Sequence, residues 1–463
     1  MPNKLLVLNV VGLSPKHIGP DTPNLRRLAE QGSRTHIQSM LPAVTCSVQT
    51  TYFTGQAPAQ HGIVGNGWYF RDLCEVKFWH QSNKLVQAEQ IWSALKQRDP
   101  SATSANIFCW YNMYCPADIA VTVRPMYPAD GRKIPDIYTF PKELRVRLNG
   151  KLGQFPLFNF WGPKSSIVSS QWIANAALDT LETAGPDLAI VYLPHLDYAM
   201  QKVGPDHISI AEELSSIDVV CGELIDYGKA NGYTLVVLSE YGIEKVGRVC
   251  HLNRLFRQQG WLTVREELGL ELLDAGASRV FAVADHQVAH VYVQDRGLLP
   301  AVTALLEQQP EIERVLDRQG KDQQGLAHPR SGELVAVAKP DAWFSYYYWL
   351  DDARAPDFAR SVDIHRKPGY DPVELFIDPD IRFPIAKVAW FLLKKKLGFR
   401  ALMDVIPLDA TLVKGSHGAL STAPDSGAIY ICSEPEVLSS QQQREGLAPT
   451  DIKNTLLDLV RPL

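Results

Sequence analysis

The chain has 463 residues, enough for one large α/β unit with insertions or about three average domains. Its 46% hydrophobic and 21% charged residues are those of a globular protein with a sizeable core, which excludes a disordered or low-complexity polymer. A formal net charge of −5 gives no ground for a nucleic-acid partner, and seven scattered cysteines without a CxxC pair give none for a zinc ribbon or a thioredoxin-like site.

The scattered thiols suit a reducing compartment, where they act as small core residues. The opening run from Lys4 to Leu13 carries one charge, a short apolar stretch and no small-x-small cleavage site. It is therefore expected to be a fully buried parallel strand rather than a signal peptide, and a cytoplasmic location is expected. The next segment, 21–32, has Thr22 as a cap, Pro23 at the first helical position and Gly32 as a stop, so a helix follows the strand as in the first βα unit of a parallel sheet.

The most informative stretch is 42–66. Thr45 follows an apolar run and opens a segment able to form a helix that ends near Thr54-Gly55. A hydroxyl there is either an N-cap or a nucleophile among unpaired backbone N–H groups that attract phosphate. Residues 110–170 are rich in Pro, Gly and aromatics and read as an irregular insertion over the site. The runs 188–193 and 233–238 are expected core strands, with helical spacing between them over 210–229. Polar residues just after such strands are the ones to examine, since ligands of open α/β sheets gather there. Asp285-His286-Gln287-Val288-Ala289-His290 continues into a strand, on which two His four apart lie about 13 Å from each other, too far to share an ion. A second insertion is expected at about 345–410. Its run 386–397 is basic, amphipathic and far too short to span a bilayer, so a docked surface helix is expected there in preference to membrane-surface contact.

The segment Thr54-Gly55-Gln56-Ala57-Pro58-Ala59-Gln60-His61-Gly62-Ile63-Val64-Gly65-Asn66, behind Thr45, resembles the nucleophile region of the alkaline phosphatase superfamily, in its nucleotide pyrophosphatase/phosphodiesterase branch. The resemblance covers roughly 5–75, 185–245, 280–345 and 411–420, in order. It is nearest to a divergent bacterial subgroup encoded in ebo gene clusters, which implies a role in small-molecule metabolism or export. The fold it implies is a three-layer α/β/α sandwich with a mainly parallel central sheet, one domain over 1–463 with the two insertions as a cap. His328 to Ala338, with Trp343 behind, resembles a family hairpin.

Two metal ions held by Asp and His are implied in the superfamily, with Thr45 bound to one of them. Carried over by position, the first Asp becomes Val11, which cannot bind a metal. Asp197 is kept, a family His becomes Gln201, the next Asp-His pair becomes Glu240 and Tyr241, and His417 is intact in Gly415-Ser416-His417-Gly418. One divalent ion is thus expected, held either by Asp197 and His417 with or without Gln201, or by a rearranged site that recruits Glu240 and an insertion residue such as His365. The harder ligand set favours magnesium or manganese over zinc.

The expected activity is metal-dependent hydrolysis of a small-molecule phosphodiester or phosphomonoester. Thr45 attacks phosphorus, the Cys46 amide and Asn66 stabilise the developing charge, and Glu240 or Tyr241 assists proton transfer. Arg124, Lys133 and Arg366 are candidate phosphate clamps. A phosphotransferase is a variant of this reading. A non-catalytic relative that binds a ligand or partner is the alternative, favoured by Val11 and Tyr241.

Overall fold

The computed structural model describes residues 4–129 and 131–460. At its centre the strands Lys4–Val10, Leu188–Leu193 and Tyr233–Leu238 are apolar almost throughout and buried along nearly their whole length, so both faces must be covered. They pair in parallel, and Ser104–Ile107 and Ile119–Val123 extend the parallel run. Antiparallel strands finish both edges. Ala428–Cys432 and Ser33–Ile37 lie beyond Tyr233–Leu238, and Ile137–Phe140 lies beyond Ile119–Val123, giving eight strands. Helices Ile167–Ala184, Ile210–Ala230 and Pro23–Gln31 pack together as one layer, while Ile452–Val460 joins Thr45–Thr54 and Ile91–Arg98 in another. This is the α/β/α sandwich that the sequence pattern implies.

The first helix forms at Pro23–Gln31, but Thr22 does not cap it: its hydroxyl donates to the His17 carbonyl at 2.7 Å. The 110–170 stretch is more regular than its composition suggests, because it supplies two strands of the main sheet and the helix Glu143–Leu152. The stretch His328 to Ala338, with Trp343 behind, forms no hairpin of its own. Leu334–Ala338 lies inside a second, four-stranded antiparallel sheet, and Ala342–Phe344 pairs in parallel with Arg248–Cys250.

That second sheet, ordered Val280–Asp285, Val288–Val293, Leu334–Ala338 and Ile312–Leu316, carries the site's other half. Its first turn places His286 at φ 61°, while the Gln287 amide donates to the His417 carbonyl at 2.8 Å. The Ala43 amide in turn donates to the Gly418 carbonyl at 2.9 Å. The two sheets therefore meet where Thr45 begins its helix.

Within 345–410, Tyr346 to Trp349 are buried in the core around the second sheet. A loop further on is pinned by Lys367, whose ammonium lies 2.7 Å from both Asp371 and Glu374, all three buried. Removing one member of a buried charge cluster strands the others. Lys367→Ala is predicted to cost about 3–5 kcal/mol in chemical denaturation, since two carboxylates then share a site without a counter-charge.

Candidate active site

The helix Thr45–Thr54 is buried along its whole length, and its N-cap residue is Val44, which has no side chain to offer. Thr45 is the first helical residue, and its hydroxyl is hydrogen-bonded to the Tyr241 phenol at 2.8 Å. The capping alternative thus falls away. The helix opens at the carboxyl end of the parallel strands, where Leu188–Leu193 leads into the helix bearing Asp197 and Tyr233–Leu238 into Ser239-Glu240-Tyr241.

Glu240 is buried behind Thr45. One of its oxygens accepts from Asn9 Nδ2 at 2.6 Å and from Gln49 Nε2 at 2.7 Å, and the other has no hydrogen-bond partner. Burial pushes its pKa up to about 8, although the two amides and the Thr45 hydroxyl favour the anion. Asp197 and Gln201 sit one helical turn apart, so the Gln201 amide donates to Asp197 Oδ2 at 2.8 Å. The Tyr370 phenol donates to Gln201 Oε1 at 2.8 Å, which leaves that oxygen engaged. Burial raises Asp197 to about 7.

His417 donates from Nδ1 to the Ala43 carbonyl at 2.8 Å, which fixes its Nε2 as a lone-pair atom. Burial lowers its pKa to about 3, so it is neutral. Its Nε2 lies 3.6 Å from Asp197 Oδ1, and neither atom has a hydrogen-bond partner. Four rings then form a ladder: Tyr241 on His417 at 3.6 Å, His417 on His286 at 3.7 Å, and His286 on Tyr370 at 3.7 Å between centroids.

Asn66 is held by Asp285, which accepts from its backbone amide at 2.7 Å and from its side-chain amide at 3.0 Å. Asn66 Oδ1 accepts the Cys46 N–H at 3.0 Å. This corrects one expectation: the Cys46 amide is used to position Asn66 and is not free to meet a substrate. Asn66 keeps its second side-chain N–H.

Thr45, Asp197, His286 and Tyr370 line one cavity of about 1250 Å³. Arg124, Lys133, His365 and Arg366 line it too, along with Trp79, Trp110, Trp161 and Tyr198. Burial pulls the Lys133 pKa down, and Arg366 pairs with Asp357 at 3.3 Å. His365 does not join Asp197 and His417. It lies by the Phe78 carbonyl at 3.4 Å, and after burial the nearby Lys133 and Arg124 charges help lower its pKa, surroundings unsuited to a cation. His290 is structural, bonded to the Val64 carbonyl at 2.9 Å and accepting from the Gly332 amide at 3.2 Å.

Tyr370 went unnoticed in the sequence; Asp285 and His286 stood out beside His290, but nothing local indicates that their turn reaches Asn66 and His417 from another sheet.

A model of the type I phosphodiesterase/nucleotide pyrophosphatase family matches residues 5–371. The chain belongs to that family. An uncharacterised pyrophosphatase/phosphodiesterase of Schizosaccharomyces pombe is 24% identical over 245 residues, which span 51% of this chain and 44% of that relative's length. Phosphonoacetate hydrolase from Sinorhizobium meliloti, solved with phosphonoformate, superposes with a TM-score of 0.62 at 15% identity, covering 99% of this chain and 96% of that one. Murine ectonucleotide pyrophosphatase/phosphodiesterase 5, solved as an inactive threonine-to-alanine variant with AMP, superposes with a TM-score of 0.58 at 15% identity, covering 99% and 95%. These two likenesses establish the fold.

The family is metal-dependent, but the residues here do not fit a pair of ions. Among the described residues no three His, Cys, Asp or Glu side chains cluster to hold one. Where the first ion would sit, Val11 offers no donor and the Tyr241 phenol already occupies the Thr45 hydroxyl. Asp197 Oδ1 and His417 Nε2, 3.6 Å apart, are both unpartnered and available as donor atoms.

Asp285→Ala is predicted to lower stability by about 1.5–3 kcal/mol in thermal or chemical denaturation, the range for losing hydrogen bonds to a charged group. Asp285→Asn, which keeps the shape, is expected to lose less.

Proposed function

We propose that this protein hydrolyses a phosphodiester or phosphomonoester of a small molecule through Thr45. One observation carries the proposal: the Thr45 hydroxyl sits in the first turn of a buried helix, at the wall of a large cavity, and is hydrogen-bonded away from its own helix. Family membership supports phosphoester hydrolysis, and the inactive threonine variant of the murine relative supports a threonine in this role.

In this reading the helix N-terminus and the free Asn66 N–H receive the phosphoryl oxygens. Thr45 Oγ1 forms the new bond to phosphorus, and the ester oxygen leaves on the opposite side. Tyr241 orients the hydroxyl. Glu240, whose anion the Thr45 hydroxyl helps stabilise, takes the proton. Water then releases the phosphoryl group from Thr45; release to another acceptor is a variant of the same chemistry. Arg124, Lys133 and Arg366 meet the remainder of an anionic substrate.

Asp197 and His417, with Gln201 beside them, would hold a single divalent ion, magnesium, manganese or zinc. Bound there, such an ion supplies positive charge to the phosphoryl oxygens. Seven free cysteines suit a reducing compartment, and we place the protein in the cytoplasm. Among the described residues no helix is long and apolar enough to cross a membrane.

The experiment is hydrolysis of para-nitrophenyl phosphate and bis(para-nitrophenyl) phosphate by the wild type and by Thr45→Ala. The variant is expected to lose at least about a thousandfold in kcat/KM while melting like the wild type. Activity unaffected by the substitution contradicts the proposal. A second reading, a non-catalytic binder, rests on Tyr241 filling the place of a metal ligand; it predicts no turnover of either ester by the wild type.

The ion has its own readout. Added magnesium, manganese or zinc is expected to raise the melting temperature of the wild type but not of His417→Ala. Equal shifts in both proteins place the ion elsewhere.

A further inference from the structure

The helix Pro384–Lys396 is amphipathic in the wrong sense for a surface helix. Its outward stripe is apolar: Ile385, Ala389, Leu393 and Leu397 recur every four residues, and all are exposed, Ile385 at 85% and Leu397 at 64%. Trp390 and Leu392 flank the stripe and are also exposed. Phe383 before the helix and Phe399 and Leu402 after it extend the same apolar surface. A soluble protein rarely leaves so many large apolar side chains contiguous without a partner.

The charge around this patch identifies the partner's chemistry. Between Ile381 and Met403 there are six cations, Arg382, Lys387, Lys394, Lys395, Lys396 and Arg400, and no acidic residue, in a chain whose net charge is −5. Lys387 is neutralised by Asp404 at 3.0 Å, whereas Lys394 lies against the exposed Trp390 ring at 5.3 Å. Exposed apolar side chains bordered by lysines, with a tryptophan among them, match an anionic bilayer surface, where the apolar groups enter the acyl boundary and the ammonium groups meet headgroups. Thirteen residues lie in the interface; they do not span it.

Another side of this helix belongs to the cavity. Val388, Phe391, Lys395 and the half-exposed Leu392 line it together with Met403 and Val405 from the following segment. One short element is therefore both an outer face and a wall of the chamber that contains Thr45.

We propose that residues 383–402 dock this protein on the surface of an anionic membrane. The site at Thr45 then works next to lipid headgroups. Docking itself does not depend on the hydrolase reading, because it is measured without turnover.

The test is co-sedimentation of the whole protein with phosphatidylcholine vesicles with and without phosphatidylglycerol. Binding to the mixed vesicles is expected to exceed binding to pure phosphatidylcholine by at least about tenfold, and to weaken as salt is raised. Two variants attack the two halves of the surface separately. The triple change Ile385→Ser, Trp390→Ser and Leu393→Ser removes exposed side chains, and Lys394→Glu with Lys396→Glu reverses charge. Each is expected to lower vesicle affinity at least about tenfold while retaining the wild-type melting temperature. Failure of the wild type to bind mixed vesicles, or binding unchanged in both variants, overturns the proposal. So does a concentration-dependent dimer, seen by sedimentation without vesicles and abolished by the triple change, which would give the face to a second copy of the chain.

Discussion

A buried hydroxyl must find a partner, and at Thr45 that partner is the Tyr241 phenol. The rest of the site is arranged around this hydrogen bond. Val44 has no side chain able to cap the helix, and of the first-turn amides the Cys46 N–H is taken by Asn66 Oδ1. Because Tyr241 follows Glu240, the same turn places a carboxyl with a pKa raised to about 8 behind the hydroxyl. A metal ion would ordinarily do two jobs near a nucleophile, orienting it and easing its deprotonation. In the proposed reaction, orientation would rest with a phenol and the proton would pass to a buried carboxylate.

An aromatic ladder joins the two halves of the site. Tyr241, His417, His286 and Tyr370 stack at 3.6–3.7 Å, so ring contacts fill the volume between the two sheets. His417 belongs to the segment tied to Ala43, and His286 to the turn of the second sheet. Tyr370 lies within the loop pinned by the buried Lys367 cluster and reaches Asp197 through Gln201. Packing and hydrogen bonds thereby fix these groups, and Asp197 Oδ1 and His417 Nε2 face each other without a hydrogen-bond partner.

Much of this was legible in the sequence where the signal is local. The strands 188–193 and 233–238 form at those residues, because near-continuous apolar runs must be buried on both faces. The helix expected over 210–229 forms as Ile210–Ala230. Family order placed Thr45, Asn66, Asp197, Glu240, Tyr241 and His417, and the structure brings these six together. What stayed hidden depends on contacts between distant segments. Asp285 and His286 come from a turn more than two hundred residues after Asn66, and no periodicity announces that pairing. Thr22 looked like a cap and Cys46 like a free amide donor because both lie correctly along the chain; a carbonyl at His17 and an amide at Asn66 take their hydrogen bonds instead. His365 had ligand-like neighbours in sequence, yet its neighbours in space include Lys133 and Arg124.

Hydrolysis through Thr45 requires that its Oγ1 bond to phosphorus during turnover. Acid-quenching the enzyme during turnover of a phosphate ester and mapping its peptides by mass spectrometry tests this directly. The result predicted is a phosphoryl group on the peptide carrying Thr45, located by fragmentation to that residue and absent without substrate. Steady turnover with Thr45 unmodified, or a phosphoryl group on another residue, would contradict it.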